Sequence, residues 1–332
     1  MRIAVTGASG LIGSALVRSL RAGGAAGGPG GDVAEGAGTG PAGGAGGGAG
    51  GGPSRGPGGG HEVVRLVRRP PRAADEVRWD PARQFVDTAG LVGCEAVVHL
   101  AGAGVGDRRW SEEYKKKIRD SRVLGTAAIA EAVASMEEPP RVLVCGSAIG
   151  YYGDTGDRAV DESAPPGEGF LPRVCEEWEA AAAPAEEAGV RVAFARTGLV
   201  VAREGGAWGR LFPIFRAGLG GRLGSGDQFW SFISLEDEVA ALRHIVDTDT
   251  LSGPVNLTAP EPLTNREVTA AMGRVLNRPT LLTVPPVALR VFLGEFAEDV
   301  LGSQRVVPSK LLDSGFTFSH PSIDEAIRAA LD

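Results

Sequence analysis

Short apolar runs alternate with longer amphipathic segments along the first two thirds of the chain, and this alternation predicts the fold. Apolar and branched residues fill the short runs, as expected of buried strands. The segments between them carry apolar residues at helical spacing. Strands and helices that alternate in this way predict an α/β fold with a Rossmann-type doubly wound parallel sheet. The predicted strands cover residues 2–6, 61–67, 95–100, 141–145 and 190–196, and the predicted helices cover residues 14–20, 110–134 and 170–188.

The alternation becomes irregular after residue 200. We expect a nucleotide-binding domain over residues 1–200 and a small α/β cap on the substrate side over residues 201–332, with some segments that return to the main sheet. Such a cap would cover the carboxyl ends of the strands, where ligands bind in this fold. The predicted helices of this portion cover residues 208–219, 235–246, 264–276 and 286–301.

One segment does not follow either pattern. Residues 24–60 consist mostly of Gly, Ala and Pro, with almost no large apolar residue. Such a composition cannot bury enough apolar surface to offset the entropy of ordering the chain. Because the cost of closing a loop grows slowly with its length, the fold tolerates this insertion between the first helix and the second strand. We expect a disordered surface insertion.

Composition and charge exclude several classes of protein. The net charge of −7 over 332 residues and the lack of a long basic run argue against a nucleic-acid partner. No apolar run is long enough to span a membrane, and the chain begins with a predicted strand rather than a signal peptide. Three cysteines without a C-x-x-C pair suit a reducing compartment, and four histidines lack the spacing of metal ligands. We therefore expect a cytoplasmic monomer or homodimer with no metal and no membrane partner.

The first strand leads directly into a glycine turn and then a helix. Gly7 allows a tight turn, Gly10 allows backbone N–H groups to approach a phosphate, and Gly13 allows the helix to pack closely on the strand. The helix N-terminus adds about half a positive charge at the same place. This order of elements predicts a dinucleotide site. The alternative is a structural strand–helix turn that binds nothing.

The ends of the next two strands refine the prediction of the cofactor. An NAD site usually has an acidic residue after the second strand, but here Val67 is followed by Arg68. Because arginine can pair with a 2′-phosphate, the sequence favours NADP(H). The alternative is a solvated strand end. After the third strand, the small residues Ala101 and Gly102 leave space for a cofactor across the strand ends.

These motifs together resemble an atypical branch of the extended short-chain dehydrogenases/reductases. Proteins of this "epimerase family" are described as NADP-dependent oxidoreductases or nucleoside-diphosphate-sugar epimerase-like proteins with their own C-terminal domain. The resemblance covers the whole chain except the insertion, and its motifs occur in the family's order. The matching residues are Thr6 to Gly13, His99 to Gly102, Arg109-Trp110, Asp120 to Arg122, Gly150 to Asp154, Trp178 to Ala181, Arg196 to Gly198, Gly218 to Gly221 and Ser303 to Val306.

The resemblance extends the candidate cofactor site beyond the glycine turn. It implies a contact from Arg122, which also makes physical sense because the long helix places this residue beside the sheet edge. The alternative for Arg122 is a helix-surface ion pair. The complete set of candidate cofactor-binding residues is Gly7, Ser9, Gly10, Leu11, Ile12, Gly13, Val67, Arg68, Leu100, Ala101, Gly102, Arg122 and Val200.

The superfamily's catalytic residues are only partly present. Its enzymes use a Tyr-x-x-x-Lys pair on a helix, in which the lysine lowers the pKa of the tyrosine, and a serine at the end of the preceding strand. Ser147 matches the serine, but Leu171 and Cys175 stand at the positions of the tyrosine and the lysine. Tyr151 is the best substitute as general acid, and its alternative role is to line the substrate wall.

Two hypotheses about function follow. The first is an NADP(H)-dependent oxidoreductase or epimerase-like enzyme on a small polar substrate, possibly a sugar nucleotide, with Ser147 and Tyr151 as catalytic residues. The second is an NADP(H)-binding sensor or regulatory protein with little or no catalysis, which the missing Tyr-x-x-x-Lys pair supports.

Overall fold

An eight-stranded, mostly parallel sheet organises the computed structural model, which describes residues 1–23 and 60–332. The expected insertion at residues 24–60 therefore lies outside the described residues, apart from Gly60. The described strands are, in chain order, β1 (Arg2–Thr6), β2 (Glu62–Val67), β3 (Glu76–Asp80), β4 (Phe85–Val86), β5 (Ala96–His99), β6 (Val142–Ala148), β7 (Arg191–Thr197), β8 (Leu199–Val201), β9 (Gly221–Leu223), β10 (Phe229–Trp230), β11 (Phe232–Ser234), β12 (Gly253–Leu257), β13 (Leu263–Thr264) and β14 (Leu282–Val284).

The large sheet has the strand order β12-β7-β6-β5-β1-β2-β3-β4. Neighbouring strands are parallel except β3 and β4, which are antiparallel. The chain runs outward from β1 through β2 and β3, and then crosses back to place β5 on the other side of β1. The strand order therefore reverses between β1 and β5, which is where doubly wound proteins bind ligands. This architecture confirms the predicted α/β, Rossmann-type doubly wound sheet.

Helices lie on both faces of this sheet and in the C-terminal portion. The described α-helices are α1 (Leu11–Ala22), α2 (Glu112–Ala134), α3 (Phe170–Ala180), α4 (Ala183–Glu187), α5 (Trp208–Arg216), α6 (Leu235–Asp247), α7 (Asn265–Leu276), α8 (Pro286–Leu293), α9 (Phe296–Leu301), α10 (Ser309–Asp313) and α11 (Ile323–Ala329). Short 3₁₀ helices occupy Pro81–Arg83, Thr88–Leu91 and Ile149–Tyr152.

The sheet separates two apolar cores because successive side chains of a strand point to opposite faces. Ile3 of β1 belongs to a core that also holds Leu16 of α1 and Leu242 of α6. Ala4 belongs to the opposite core, with Ile129 of α2 and Ala185 of α4. The helix α6 comes from the C-terminal portion, so this portion completes a core of the main sheet.

The C-terminal portion also adds a strand to the large sheet, because β12 pairs with β7. Three two-stranded sheets lie outside the large sheet and are formed by β8 with β11, β9 with β14, and β10 with β13. The expected boundary near residue 200 falls within β8, which pairs with β11 through Val200 and Ile233. A third core beneath these elements contains Trp208, Phe212 and Met272.

Two predicted helices are divided in the structure. Residues 170–188 form α3 and α4, which are separated at Ala181 and Ala182. Pro184 lies in the first turn of α4, where a missing N–H group is tolerated. Residues 286–301 form α8 and α9 because Gly294, with a φ of +66°, ends α8 in a conformation that favours glycine.

Helix α6 buries a carboxylic acid beneath β7. Glu238 is fully buried, its Oε1 accepts a hydrogen bond from Thr197 Oγ1 at 2.8 Å, and its Oε2 has no hydrogen-bond partner among the described residues. Burial raises the pKa of Glu238 to about 8, against an ordinary value of 4.5. The folded protein therefore holds this carboxyl group in its neutral form at pH 7.

We predict that Glu238 makes stability fall as pH rises. The folded state keeps the proton up to about pH 8, whereas the unfolded state releases it near pH 4.5, so unfolding becomes more favourable between these values. Glu238→Gln removes this titration. Its melting temperature relative to the wild type should therefore increase as the pH is raised from 5 to 8 across that interval.

The matched control is Glu131→Gln on α2, where the side chain is exposed and forms no ion pair among the described residues. Its difference from the wild type should not change with pH over the same range. If the difference in melting temperature between Glu238→Gln and the wild type did not change with pH, Glu238 would not titrate in this way.

Candidate functional site

The glycine turn between β1 and α1 has the geometry that its sequence predicts. Gly7 has a φ of +66°, in the left-handed region that favours glycine. A Cβ atom at Gly13 would lie 2.2 Å from the carbonyl oxygen of Gly7, and so this position has no room for a larger residue. The N–H group of Gly10 donates to the same carbonyl oxygen at 2.9 Å. The three glycines therefore bring the start of α1 directly against the end of β1.

The N-terminus of α1 is open to a ligand. Gly10 caps the helix without a side-chain hydrogen bond, and the first turn contains no acidic residue. Ser9 and Gly10 are exposed, and Leu11 and Ile12 are half-buried. Backbone N–H groups at the end of a helix then remain available to an anion, and the helix dipole favours it. These residues fit the pyrophosphate of a dinucleotide.

The hydroxyl group of Thr6 links the glycine turn to the loop after β5. Its Oγ1 accepts hydrogen bonds from the N–H groups of Leu100 and Ala101 at 3.1 and 3.2 Å, and it lies 2.7 Å from Nδ1 of His99. Since the oxygen accepts from both amides, its hydrogen is directed to Nδ1, and His99 carries its proton on Nε2. Burial lowers the pKa of His99 to about 4, which keeps the ring neutral.

Thr6 and His99 are functional candidates whose joint role the sequence alone does not reveal. Both side chains are fully buried, and their role depends on a contact between residues 93 positions apart. The only signal in the sequence is a polar residue at the end of each of two buried strands. In the structure the pair fixes the strand-end loop that carries Leu100 and Ala101, and the carbonyl carbon of Leu100 would lie 2.8 Å from a Cβ atom at Gly7.

Three neighbouring arginines at the end of β2 have different surroundings. Arg69 forms two hydrogen bonds with Glu76 at 2.7 and 2.6 Å, and Arg65 pairs with Asp75 at 2.8 Å. Arg69 is the main reason why the pKa of Glu76 falls to about 2. Arg68 is exposed and has no ion pair among the described residues. The guanidinium of Arg68, next to the half-buried Val67, is therefore free to bind an anion.

Arg122 of α2 lies beside the loop after β5 without a counter-charge. Its Nη1 donates to the carbonyl oxygens of Ala103 and Ile118 at 2.9 and 3.1 Å, and its guanidinium stacks on the ring of Trp178 at 5.0 Å. A Cβ atom at Gly102 would lie 3.4 Å from its Cζ atom. Burial lowers the pKa of Arg122, and no described carboxylate lies within ion-pair distance. The expected alternative of a surface ion pair is therefore not seen.

The remaining candidate, Val200, lies on β8 and is half-buried. The turn that follows this strand approaches the start of α1, because a Cβ atom at Gly205 would lie 3.8 Å from Leu11. The structure thus brings the segment after residue 200 to the same strand-end cleft as the glycine turn and Arg122.

Ser147 ends β6 but directs its hydroxyl hydrogen away from solvent. It is buried, and its Oγ donates to Oε1 of Glu179 on α3 at 2.7 Å. Glu179 in turn accepts two hydrogen bonds from Arg196 of β7, both at 2.8 Å. The proton of Ser147 therefore serves a buried ion pair, and only the lone pairs of its oxygen remain for a ligand.

The two adjacent tyrosines differ in whether their hydroxyl group is hydrogen-bonded to a described residue. The hydroxyl group of Tyr152 accepts from Arg196 at 2.9 Å and donates to Asn256 at 2.8 Å, and burial raises its pKa to about 12. Tyr151 is half-buried, and its ring centroid lies 3.4 Å from Cζ of Arg196. Its hydroxyl group makes no hydrogen bond with any described residue. Of the two, Tyr151 is the tyrosine whose phenol is free to meet a substrate.

The residues at the expected Tyr-x-x-x-Lys positions face the end of β6. Leu171 lies 3.5 Å from the position of a Cβ atom at Gly150, and the thiol of Cys175 donates to the carbonyl oxygen of Ala148 at 3.8 Å. Burial raises the pKa of Cys175 to about 12, so it stays a thiol. This face of α3 offers no group that exchanges a proton near neutral pH.

Residues 1–23 and 60–332 offer neither a metal centre nor a membrane-spanning helix. No group of three or more His, Cys, Asp or Glu side chains is arranged to hold a metal ion in this part of the chain. Within the same ranges, no helix has the length and apolar character needed to cross a membrane.

A glycine turn at the switch point of a doubly wound sheet, followed by an open helix N-terminus, is the arrangement in which Rossmann-type proteins bind the pyrophosphate of a dinucleotide. Comparisons with known proteins agree. Residues 56–257 match the model of the NAD dependent epimerase/dehydratase family, and residues 284–330 match a domain of unknown function, DUF1731. The chain therefore belongs to the NAD-dependent epimerase/dehydratase family, within the extended short-chain dehydrogenases/reductases.

Similar proteins cover nearly the whole chain. Epimerase family protein ML0860 of Mycobacterium leprae is 43% identical over 99% of this chain and 95% of its own length. The crystal structure of human epimerase family protein SDR39U1 (isoform 2) with NADPH has a TM-score of 0.82 and 29% identity, with full coverage of both chains. A nucleoside-diphosphate sugar epimerase from Corynebacterium glutamicum has a TM-score of 0.72 and 31% identity, and the match covers 58% of that chain.

We predict that the hydroxyl group of Thr6 is needed for tight cofactor binding. Thr6→Val keeps the shape of the side chain but leaves two backbone N–H groups and His99 without their partner, at a cost of about 1–3 kcal/mol for each unsatisfied buried group. Binding of the reduced cofactor, followed by fluorescence titration, should weaken at least about tenfold.

Thr6→Ser retains the hydroxyl group and is the matched control, so its affinity should stay close to that of the wild type. Melting temperatures of both variants separate a general loss of stability from a loss of binding. Equal affinities of Thr6→Val and wild type would mean that the strand-end loop keeps its position without this clamp.

Proposed function

We propose that the protein binds NADP(H) across the carboxyl ends of β1, β5 and β6 and acts as an NADP(H)-dependent oxidoreductase or epimerase-like enzyme. Its substrate in this proposal is a small polar molecule, possibly a sugar nucleotide. The names of the similar proteins, which include a nucleoside-diphosphate sugar epimerase and an NADPH complex, support this class of function. We further propose that it acts in the cytoplasm as a monomer or homodimer.

The observation that carries the preference for NADP(H) is the free guanidinium of Arg68. Arg69 is already neutralised by Glu76, but Arg68 has no ion pair among the described residues and stands where the 2′-substituent of the adenosine ribose is recognised in this fold. A 2′-phosphate would supply the missing anion. Arg122, also without a carboxylate partner, adds a second positive charge beside the cofactor loop.

We predict that NADPH binds at least about tenfold more tightly than NADH, which corresponds to about 1.4 kcal/mol. The measurement is a titration that follows energy transfer from the tryptophans to the reduced nicotinamide. In Arg68→Ala the preference should disappear, because NADPH binding weakens while NADH binding does not change.

The matched control for this prediction is Arg72→Ala, which removes an exposed arginine four residues further along. It should leave the preference intact. Equal binding of the two cofactors by the wild type would mean that Arg68 is only a solvated strand end, and binding of neither would mean that the glycine turn is structural.

The proposed chemistry divides between the cofactor and the chain. Bound NADP(H) supplies or accepts a hydride. Tyr151 then exchanges the matching proton with the substrate oxygen, since its hydroxyl group is free, while Ser147 accepts a hydrogen bond from the substrate and keeps Glu179 in place. Arg196, stacked against the ring of Tyr151, holds that ring at the end of β6.

We predict that Tyr151→Phe lowers turnover by at least about a hundredfold, the usual contribution of a general acid or base. Affinity for NADPH should not change. Ser147→Ala should also lower turnover, by a smaller factor, because Glu179 keeps its pair with Arg196. Turnover is measured as NADPH oxidation with a panel of carbonyl compounds and as isomer formation with a panel of sugar nucleotides, because an epimerase regenerates its cofactor in each turnover.

Tyr152→Phe is the contrasting variant, because it removes a hydroxyl group that bonds only within the protein. We expect this variant to have a lower melting temperature, without the selective loss of turnover expected for Tyr151→Phe. Unchanged turnover in both Ser147→Ala and Tyr151→Phe would exclude these two residues from catalysis.

A second candidate function is that of an NADP(H)-binding sensor or regulatory protein. It is favoured by one observation, namely that α3 presents Leu171 and a neutral Cys175 thiol where the superfamily's enzymes have a tyrosine and a lysine. A wild-type protein that binds NADPH tightly, but neither oxidises it with any carbonyl compound nor interconverts any sugar nucleotide, would support this function over the first.

A further inference from the structure

Two segments of the C-terminal portion expose an apolar surface. Helix α8 is almost entirely apolar in sequence, yet none of its residues is buried. Phe292 is 77% exposed, Val287 68% and Val291 62%. Leu281, next to β14, is 91% exposed. We call the surface formed by Leu219, Leu281, Leu282, Val287, Val291 and Phe292, together with Arg216, Arg222 and Arg278, the α8 face.

The elements that carry these residues adjoin one another. Strand β14 pairs with β9 through Leu282 and Gly221, and the chain leads directly from β14 into α8. Arg278 donates from Nε to the carbonyl oxygen of Arg216 at 2.8 Å. A Cβ atom at Gly224 would lie 3.5 Å from Pro286 at the start of α8. The contacts connect α5, the β9–β14 pair and α8.

The charge of this surface is opposite to that of the whole protein. The chain has 41 acidic residues against 34 basic ones, for a net charge of −7. Residues 205–226 and 276–294, however, contain no acidic residue and carry Arg210, Arg216, Arg222, Arg278 and Arg290.

Three of these five arginines lack a counter-ion. Arg290 pairs with Glu298 at 2.7 Å, and Arg210 lies 3.6 Å from Asp107. Arg216, Arg222 and Arg278 are exposed and have no ion pair among the described residues. The α8 face therefore combines exposed aliphatic and aromatic side chains with three uncompensated positive charges.

The neighbouring helix α9 is packed against the rest of the protein, in contrast to α8. Phe296 of α9 packs against Trp110 with ring centroids 5.3 Å apart, and Ala297 is fully buried. The short helix that follows α8 thus makes the contact with the segment before α2. On α8, Val287, Val291 and Phe292 remain in solvent, whereas Ala288, Leu289 and Leu293 are half-buried.

We propose that the α8 face binds the surface of an anionic phospholipid bilayer. Aliphatic and aromatic side chains of such a face enter the boundary between head groups and acyl chains, and arginines bind the lipid phosphates. A second copy of the chain would place like charges opposite one another, which disfavours self-association through this face. The proposal replaces the expectation of no membrane partner with peripheral binding.

The experiment is flotation of the purified full-length protein with vesicles of phosphatidylcholine alone or mixed with phosphatidylglycerol. Binding to the anionic vesicles should be at least about tenfold stronger and should weaken as salt is added. The triple variant Arg216→Gln/Arg222→Gln/Arg278→Gln should bind about a hundredfold less, given roughly fivefold for each arginine near a membrane surface. Phe292→Asp should also reduce binding.

Matched controls change the same properties elsewhere. The triple variant Arg72→Gln/Arg158→Gln/Arg173→Gln removes three other exposed arginines. Val92→Asp changes another exposed apolar residue, 61% exposed, whose carbonyl oxygen accepts a hydrogen bond from Arg2 at the start of β1. Both should bind the anionic vesicles as the wild type does. All variants should bind NADPH as the wild type does. If the wild type does not bind NADPH, all variants should instead have the melting temperature of the wild type.

Several results would overturn the proposal. They are no binding to either vesicle, equal binding to neutral and anionic vesicles, or equal losses in the two triple variants. Light scattering is the remaining test, because a dimer that Phe292→Asp converts to a monomer would show that a second copy covers the α8 face.

Discussion

The close approach of β1, α1 and the loop after β5 is the constraint on which the rest of the structure depends. The carbonyl oxygen of Gly7 would lie 2.2 Å from a Cβ atom at Gly13, and Leu100 would lie 2.8 Å from one at Gly7. Three backbone segments therefore meet at a point that only glycine permits. The strand order reverses at this point, which leaves a cleft between the loops that follow β1 and β5. The close contact directs the N-terminus of α1 into this cleft.

A second buried interaction holds the other half of the cleft together. The ion pair between Glu179 and Arg196 connects α3 with β7, and hydrogen bonds extend it to Ser147, Tyr152 and Asn256. Taking two charges out of water costs several kcal/mol, which good geometry and further hydrogen bonds offset. Since removal of one partner would leave a buried charge, the network fixes the positions of the strand ends rather than simply adding stability.

The sequence predicts those parts of the structure that depend on nearby residues. Apolar runs and helical spacing identify the large sheet, and the order of Gly7, Gly10 and Gly13 identifies the dinucleotide turn. Contacts between distant residues leave no such local pattern in the sequence. The sequence singles out Arg68 as the first residue after the strand, but it does not show that Arg69 is already paired, because that pairing depends on the position of Glu76.

The same limit applies to the candidate catalytic residues. Ser147 matches the superfamily's serine in sequence, but its proton is engaged by Glu179, 32 residues further along the chain. The role of Thr6 depends in the same way on its approach to His99. Helix ends were also difficult to predict, since α8 and α9 follow one continuous apolar pattern that only the φ of Gly294 interrupts.

The two halves of the cleft differ in whether their polar groups already have hydrogen-bond or ion-pair partners among the described residues. On the cofactor side, Arg68, Arg122 and the first turn of α1 have no anionic partner in the part of the chain that the structure describes. On the substrate side, the polar groups of Ser147 and Tyr152 already serve the buried ion pair, which leaves Tyr151 with a free hydroxyl group. In the function we propose, cofactor binding relies on the unpaired positive charges at the strand ends, whereas proton transfer relies on one phenol held in place by Arg196. A single substitution at Tyr151 would then remove the chemistry and leave cofactor binding intact.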